Sequence, residues 1–258
     1  MANSLLMVHG VGCLGNVWDR MRSDFEAGGW VCDTPSLFPD LRVKTDPPPA
    51  DLANLTLDDY VEEMLVKARE ITDRDDQKPV VIGHSMGGLI AQKLAEAGAV
   101  RAAILLTPAQ PKGCTVTDLR VLRTFWNILK VGRKNIPGGV FKVGPQGFSW
   151  GVLNCVEPDR HAEIYADAVF DSGLVYQALK DPGPIDEQKV RVPTLTIGAK
   201  KDRATVIKAV RKVALKYGRA GVSGDYLEYQ NHGHWIVDEP GTEKVSKDIL
   251  AWLDKRVT

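Results

Sequence analysis

The chain has 258 residues, 44% of them apolar, enough to build one sizeable core in a single domain. Its 33 basic and 33 acidic side chains cancel to a formal net charge of +0, so no global field draws it to DNA, RNA or an anionic membrane. The opening residues Met1-Ala2-Asn3-Ser4 carry no secretion-type pattern, and no apolar run reaches the roughly 20 residues that cross a bilayer. Cys13, Cys32, Cys114 and Cys155 are scattered without a C-x-x-C pair. The expectation is a cytoplasmic protein with reduced thiols and no metal or cofactor.

In chain order, Leu5-Leu6-Met7-Val8 ends in His9-Gly10 and reads as a buried strand. Val17, Met21 and Phe25 recur every four residues and predict an amphipathic helix that Gly28-Gly29 stops. Trp30-Val31-Cys32 reads as a second strand, and Pro47-Pro48-Pro49 as a stiff surface loop. Thr56 is the expected N-cap of a helix to about Ile71, with Tyr60, Met64, Ala68 and Ile71 on one face. A strand over Pro79–Gly83, a helix over Leu89–Ala97 and a strand over Ala102–Leu106 follow. The C-terminal part resumes with a strand at Thr194–Ile197, a helix from Val206 to Tyr217, a strand at Tyr226–Tyr229 and a helix around Lys244 to Lys255. Short apolar strands alternating with helices predict an α/β fold, its mostly parallel sheet covered by helices on both faces.

Residues 108–189 break the alternation and divide a core formed by 1–107 and 190–258. Helical patterns near Leu119–Leu129, Asp159–Ala168 and Leu174–Leu179 are joined by Gly/Pro-rich pieces such as Ile136-Pro137-Gly138-Gly139. The segment is rich in aromatics, and its position predicts a helical lid over an apolar pocket, with Trp126, Phe148 and Trp150 as pocket residues. The plainer alternative is a helical subdomain whose aromatics fill only their own core.

Gly83-His84-Ser85-Met86-Gly87-Gly88 lies between a predicted strand and a predicted helix. That context turns a common G-x-S-x-G pattern into a nucleophile site: the serine occupies a tight turn beside a helix N-terminus, and the glycines let strand and helix approach. A serine hydroxyl needs a base held by an acid. After Ser85 the histidines are His161, His232 and His234. His161 sits among charged residues and reads as surface. His232 and His234 share the loop after the last strand, and His234 is the better base because Gly233 frees its backbone; His232 then packs the loop. Asp202, after the Thr194–Ile197 strand, is the expected acid, with Asp225 and Asp238 as rivals. The oxyanion donors are the backbone N–H of Met86 and, from His9-Gly10-Val11-Gly12, that of Val11. His9 is expected to brace this loop, and His84 to be a buried neighbour of the serine.

These pieces, together with Trp18, Asp202-Arg203-Ala204-Thr205 and Gly233-His234-Trp235 followed by Glu239-Pro240, resemble the α/β-hydrolase superfamily over nearly the whole length. The abrupt start at the His-Gly strand looks like the plant methylesterase and hydroxynitrile lyase group. The step from Gly198 to Asp202 is one residue longer than is common there. The resemblance implies an esterase or lactonase with the acid, base and oxyanion roles on the residues above. The aromatic insertion suggests a small, largely apolar substrate, the balanced charge no nucleic-acid or membrane partner, and a homodimer is compatible with both. A lyase or carbon–carbon hydrolase on the same triad, or a small-molecule receptor on the same fold, are the other readings left open.

Overall fold

The first strand, β1 (Ser4–Val8), is buried along its length because its side chains serve two cores. Leu5 and Met7 face one side of the sheet and Leu6 and Val8 the other, the period-two consequence of a pleated strand covered on both faces. This computed structural model describes residues 3–128, 139–219 and 224–257. The elements that follow are α1 (Asp19–Ala27), β2 (Val31–Asp33), α2 (Leu57–Asp75), β3 (Val80–His84), α3 (Met86–Glu96) and β4 (Ala102–Leu106). The chain then leaves the sheet for α4 (Leu119–Thr124), β5 (Val140–Phe141), a helical stretch that becomes a π turn over Phe148–Val152, α5 (His161–Ala166), β6 (Asp171–Ser172) and α6 (Gly173–Lys180). It returns as β7 (Thr194–Ala199), α7 (Ile207–Arg219), β8 (Gly224–Tyr229) and α8 (Thr242–Arg256).

Six strands in the order β2-β1-β3-β4-β7-β8 form one sheet, and every pairing in it is parallel. Helices α1 and α8 cover one face through Met21, Phe25, Val245, Ile249 and Leu253. On the other face α2, α3 and α7 pack through Tyr60, Met64, Leu89, Leu94 and Val213. Thr56 caps α2 as expected, in a capping box whose second member is Asp59. Strand β5 pairs antiparallel with β6, apart from the main sheet.

The insertion between β4 and β7 contributes Phe141, Val143, Phe148, Val152 and Leu153 to the same cluster as α1 and α8, so it is packed onto the core rather than held apart from it. Leu129, the expected end of the first insertion helix, and residues 136–138 of the Gly/Pro-rich piece lie outside the described residues. Among the described residues no helix is long and apolar enough to cross a membrane.

Candidate active site

Ser85 stands between β3 and α3 with φ 54° and ψ −118°, a backbone state that L-residues adopt only when their surroundings force it. The surroundings here are tight. A Cβ on Gly83 would lie 2.1 Å from the Gly87 carbonyl oxygen, and one on Gly87 would lie 2.0 Å from the Val8 carbonyl oxygen. Strand, turn and helix close only because both positions lack a side chain. The turn is tied down by Ser85 N–H donating to Leu106 O at 3.1 Å and by Ser85 O accepting from Gly88 and Ala109 at 2.9 and 2.8 Å. The helix begins at Met86, three residues earlier than the sequence pattern predicts, so the Met86 N–H stands in the first helical turn, where no intrahelical acceptor exists.

The loop after β8 places His234 Nε2 3.0 Å from Ser85 Oγ, and His234 Nδ1 2.9 Å from Asp202 Oδ2. Asp202 is fully buried, with Oδ1 accepting from the Ala204 and Thr205 N–H groups at 2.7 and 2.8 Å. The Thr205 hydroxyl lies 2.8 Å from Asp202 Oδ2 and from the Thr107 carbonyl. Burial opposes ionisation of Asp202, but the His234 imidazole and hydrogen bonds from His234 and Thr205 outweigh it and hold the carboxyl below its ordinary range. The longer step from Gly198 is absorbed in a turn, where Lys200, Lys201 and Asp202 donate to Tyr229, His232 and Ala199 carbonyls.

The rivals are engaged elsewhere. Asp225 accepts from Trp252 Nε1 and Arg256, and Asp238 from Arg20 and Arg160. His232 Nδ1 pairs with Glu239 Oε1 at 2.7 Å, and the same oxygen accepts from Gly233 N–H at 2.7 Å, fixing the start of the His234 loop. His161 is not a solvated surface residue: it is half-buried, with Ser149 Oγ on one ring nitrogen at 2.7 Å and the Val156 carbonyl on the other at 3.0 Å. His84 is buried and donates from Nε2 to the His234 carbonyl at 2.8 Å; burial and the neighbouring His234 drive its pKa down to about 3.

Ser85 and His234 open onto a cavity of about 20 Å³ walled by Val11, Cys13, Phe125, Val143, Phe148, Val152 and Trp235. That space takes about one water molecule. Behind Cys13, Phe148 and Trp235 lies a second cavity of about 220 Å³ with a charged rim that includes Arg20, Arg160 and Asp238. Of the three aromatics expected in the pocket, Phe148 lines both cavities. Trp126 and Trp150 line neither. Trp126 is 55% exposed. The guanidinium carbons of Arg123 and Arg203 lie 4.1 and 4.5 Å from the centre of the Trp150 ring, a pair of cation–π contacts. Val143 and Val152 escaped the sequence reading of the site, since aliphatic side chains there carry no pattern of their own.

Among the described residues no group of three His, Cys, Asp or Glu side chains is placed to hold a metal ion. Burial pushes the Cys13 thiol up to about 12, away from thiolate chemistry.

Among curated proteins none matches the chain significantly. Solved structures match over nearly the whole length at low identity. A monoacylglycerol lipase of Paleococcus ferrophilus shares 17% identity at a TM-score of 0.71, covering 98% of this chain and 94% of its own. A methylesterase from Arabidopsis shares 16% at 0.72, covering 98% and 100%. A pyrethroid hydrolase from Sphingobium faniae shares 17% at 0.71, covering 98% of each chain. These likenesses show a common fold. The sequence pattern of one family matches residues 5–245, from β1 into α8, and by that match the chain belongs to the alpha/beta hydrolase family.

Proposed function

We propose that the chain is a serine hydrolase that cleaves a carboxylic ester or lactone of a small, largely apolar substrate through an acyl-serine intermediate. The observation that carries this reading is the unbroken series Asp202–His234–Ser85, with contacts of 2.9 and 3.0 Å, at the edge of an apolar cavity.

A carboxylate only accepts, so the hydrogen bond to Asp202 puts the imidazole proton on Nδ1 and leaves Nε2 free to accept from the Ser85 hydroxyl. As Ser85 Oγ attacks the substrate carbonyl carbon, its proton passes to Nε2, and the imidazolium is stabilised by the ionised, buried Asp202. The N–H groups of Met86 and Val11 take the negative charge of the tetrahedral oxygen. Collapse expels the alcohol, which leaves with the proton from Nε2. Water then attacks the acyl-serine with His234 again as base, releasing the acid and restoring Ser85.

Similar structures named lipase and methylesterase favour an ester among the bonds this machinery attacks. No lysine or arginine lines the cavity at Ser85 among the described residues, which weighs against a cyanohydrin-cleaving lyase. A carbon–carbon substrate or a receptor role is separated from this reading by turnover. We expect hydrolysis of p-nitrophenyl acetate and butyrate, reduced about 10³-fold or more in Ser85→Ala and in His234→Ala. Tight ligand binding with negligible turnover would favour the receptor, and undiminished turnover in Ser85→Ala would overturn the assignment.

A further inference from the structure

The loop Gly10–Gly12 carries the Val11 N–H, and besides a contact from the Cys13 thiol to the Val11 carbonyl, three hydrogen bonds from outside the loop fix its path. His9 Nδ1–H donates to the Gly10 carbonyl at 2.9 Å. That carbonyl and the Val11 N–H belong to one planar trans peptide, so holding the oxygen sets the direction in which the N–H points. The next peptide is held at the Gly12 N–H, which donates to the Asp171 carboxylate, and the Gly12 carbonyl accepts from Val169 N–H at 3.0 Å. Gly12 itself has φ +71°, a conformation that glycine adopts without strain and other residues rarely do.

Two of these restraints come from residues 169–171 of the insertion, and a single side chain joins them to the third. Arg42 is fully buried and donates to Asp171 from Nε and Nη2 at 2.7 and 2.9 Å. Its Nη1 lies 3.3 Å from His9 Nε2, which also accepts from Leu37 N–H at 3.1 Å. Tyr60 Oη donates to Asp171 Oδ1 at 2.7 Å. Asp171 is 0% exposed, so the carboxylate is saturated by this set and has no solvent to exchange with.

We infer that Asp171 and Arg42 are positioning residues for the oxyanion donor at Val11, and that through Asp171 the insertion helps to complete the catalytic centre. This rests on the ester-hydrolase reading for its catalytic half, while the clamp itself is a property of the loop. Replacing one member leaves a buried charge unpaired and invites unfolding, whereas replacing both with apolar groups of similar size is often tolerated. The test therefore uses Arg42→Met/Asp171→Leu beside the milder Asp171→Asn, each checked for an intact thermal transition.

Two readouts follow. Hydrogen exchange of the backbone over residues 9–14 needs no activity. We expect it to rise at least about tenfold in the double variant while β3 and β4 keep their protection; unchanged exchange in a folded variant overturns the clamp, whatever the chain hydrolyses. Steady-state kinetics on p-nitrophenyl butyrate should show kcat lowered about 10- to 100-fold with KM nearly unchanged, because an oxyanion donor acts only in the transition state. Faster exchange with kcat unchanged would overturn the positioning role while leaving the esterase reading in place. An inactive wild-type chain would overturn the catalytic half together with that reading.

Discussion

Asp202 fixes which nitrogen of His234 carries the proton, and removing its charge should be felt in turnover more than in binding. Asp202→Asn keeps the size of the side chain but offers an amide that donates as well as accepts. We expect kcat to fall about 10³- to 10⁴-fold, measured on p-nitrophenyl butyrate, with KM within about threefold of the wild type. His232→Gln, by contrast, disturbs contacts to Glu239 and the Tyr229 ring and should keep kcat within about threefold. Equal losses in these two variants would mean that the wrong imidazole has been assigned. At this scale the sequence carries Ser85, Asp202 and His234 because each lies in the turn or loop that follows a strand, and the structure brings the three together. It carries much less of the cavity wall. An aromatic's presence in the insertion does not say what its ring will touch, and Trp150 stacks with two arginines and does not line the cavity at Ser85. Arg42 and Asp171 were invisible for another reason. They are 129 residues apart, and no local period marks two charges that meet only after folding.

The elements obey the hydrophobic pattern closely, and their departures have local causes. The sequence places the start of α3 at Leu89 because Gly87 and Gly88 are poor helix formers. The structure starts it at Met86 because the approach of Val8 to the turn admits glycine alone. Gly87→Ala should therefore lower stability by about 3 kcal/mol or more, beyond the usual range for overpacking since the clash is with backbone. Chemical denaturation checks it, and a variant as stable as the parent would show that β1 and α3 are looser than described. The π turn over Phe148–Val152 sets the wall between the small cavity at Ser85 and the larger one behind it. Phe148→Ala should merge the two spaces and shift the preference toward longer acyl chains, raising the octanoate-to-acetate ratio of kcat/KM by about tenfold. An unchanged ratio would place the acyl chain elsewhere.

On the scale of the whole molecule, charge balance makes net repulsion unimportant near neutrality, and pH sensitivity falls to individual buried groups. His9 and His84 are both buried and held neutral, by desolvation first and then, for His9, by Arg42 and, for His84, by His234. Their folded-state pKa values lie below the unfolded value of 6.5, so the unfolded chain binds more protons as pH falls beneath it, and stability is lost. Each imidazole adds to that loss as pH falls, for His84 until pH approaches its folded value of about 3. Asp202, whose folded pKa is lowered, adds stability above its ordinary 3.8 that fades only at still lower pH. The melting temperature should fall steadily from pH 6.5 to pH 4, and His84→Gln should flatten that slope. A melting temperature independent of pH over this range would contradict the buried, neutral state of both rings.

The nucleophile can be identified without knowing the natural substrate. After reaction with a fluorophosphonate, peptide mass spectrometry should find one phosphonyl adduct, on Ser85, abolished in His234→Ala at equal reagent and time. An adduct on another residue, or no adduct on Ser85 in a preparation that turns over p-nitrophenyl esters, would contradict the account.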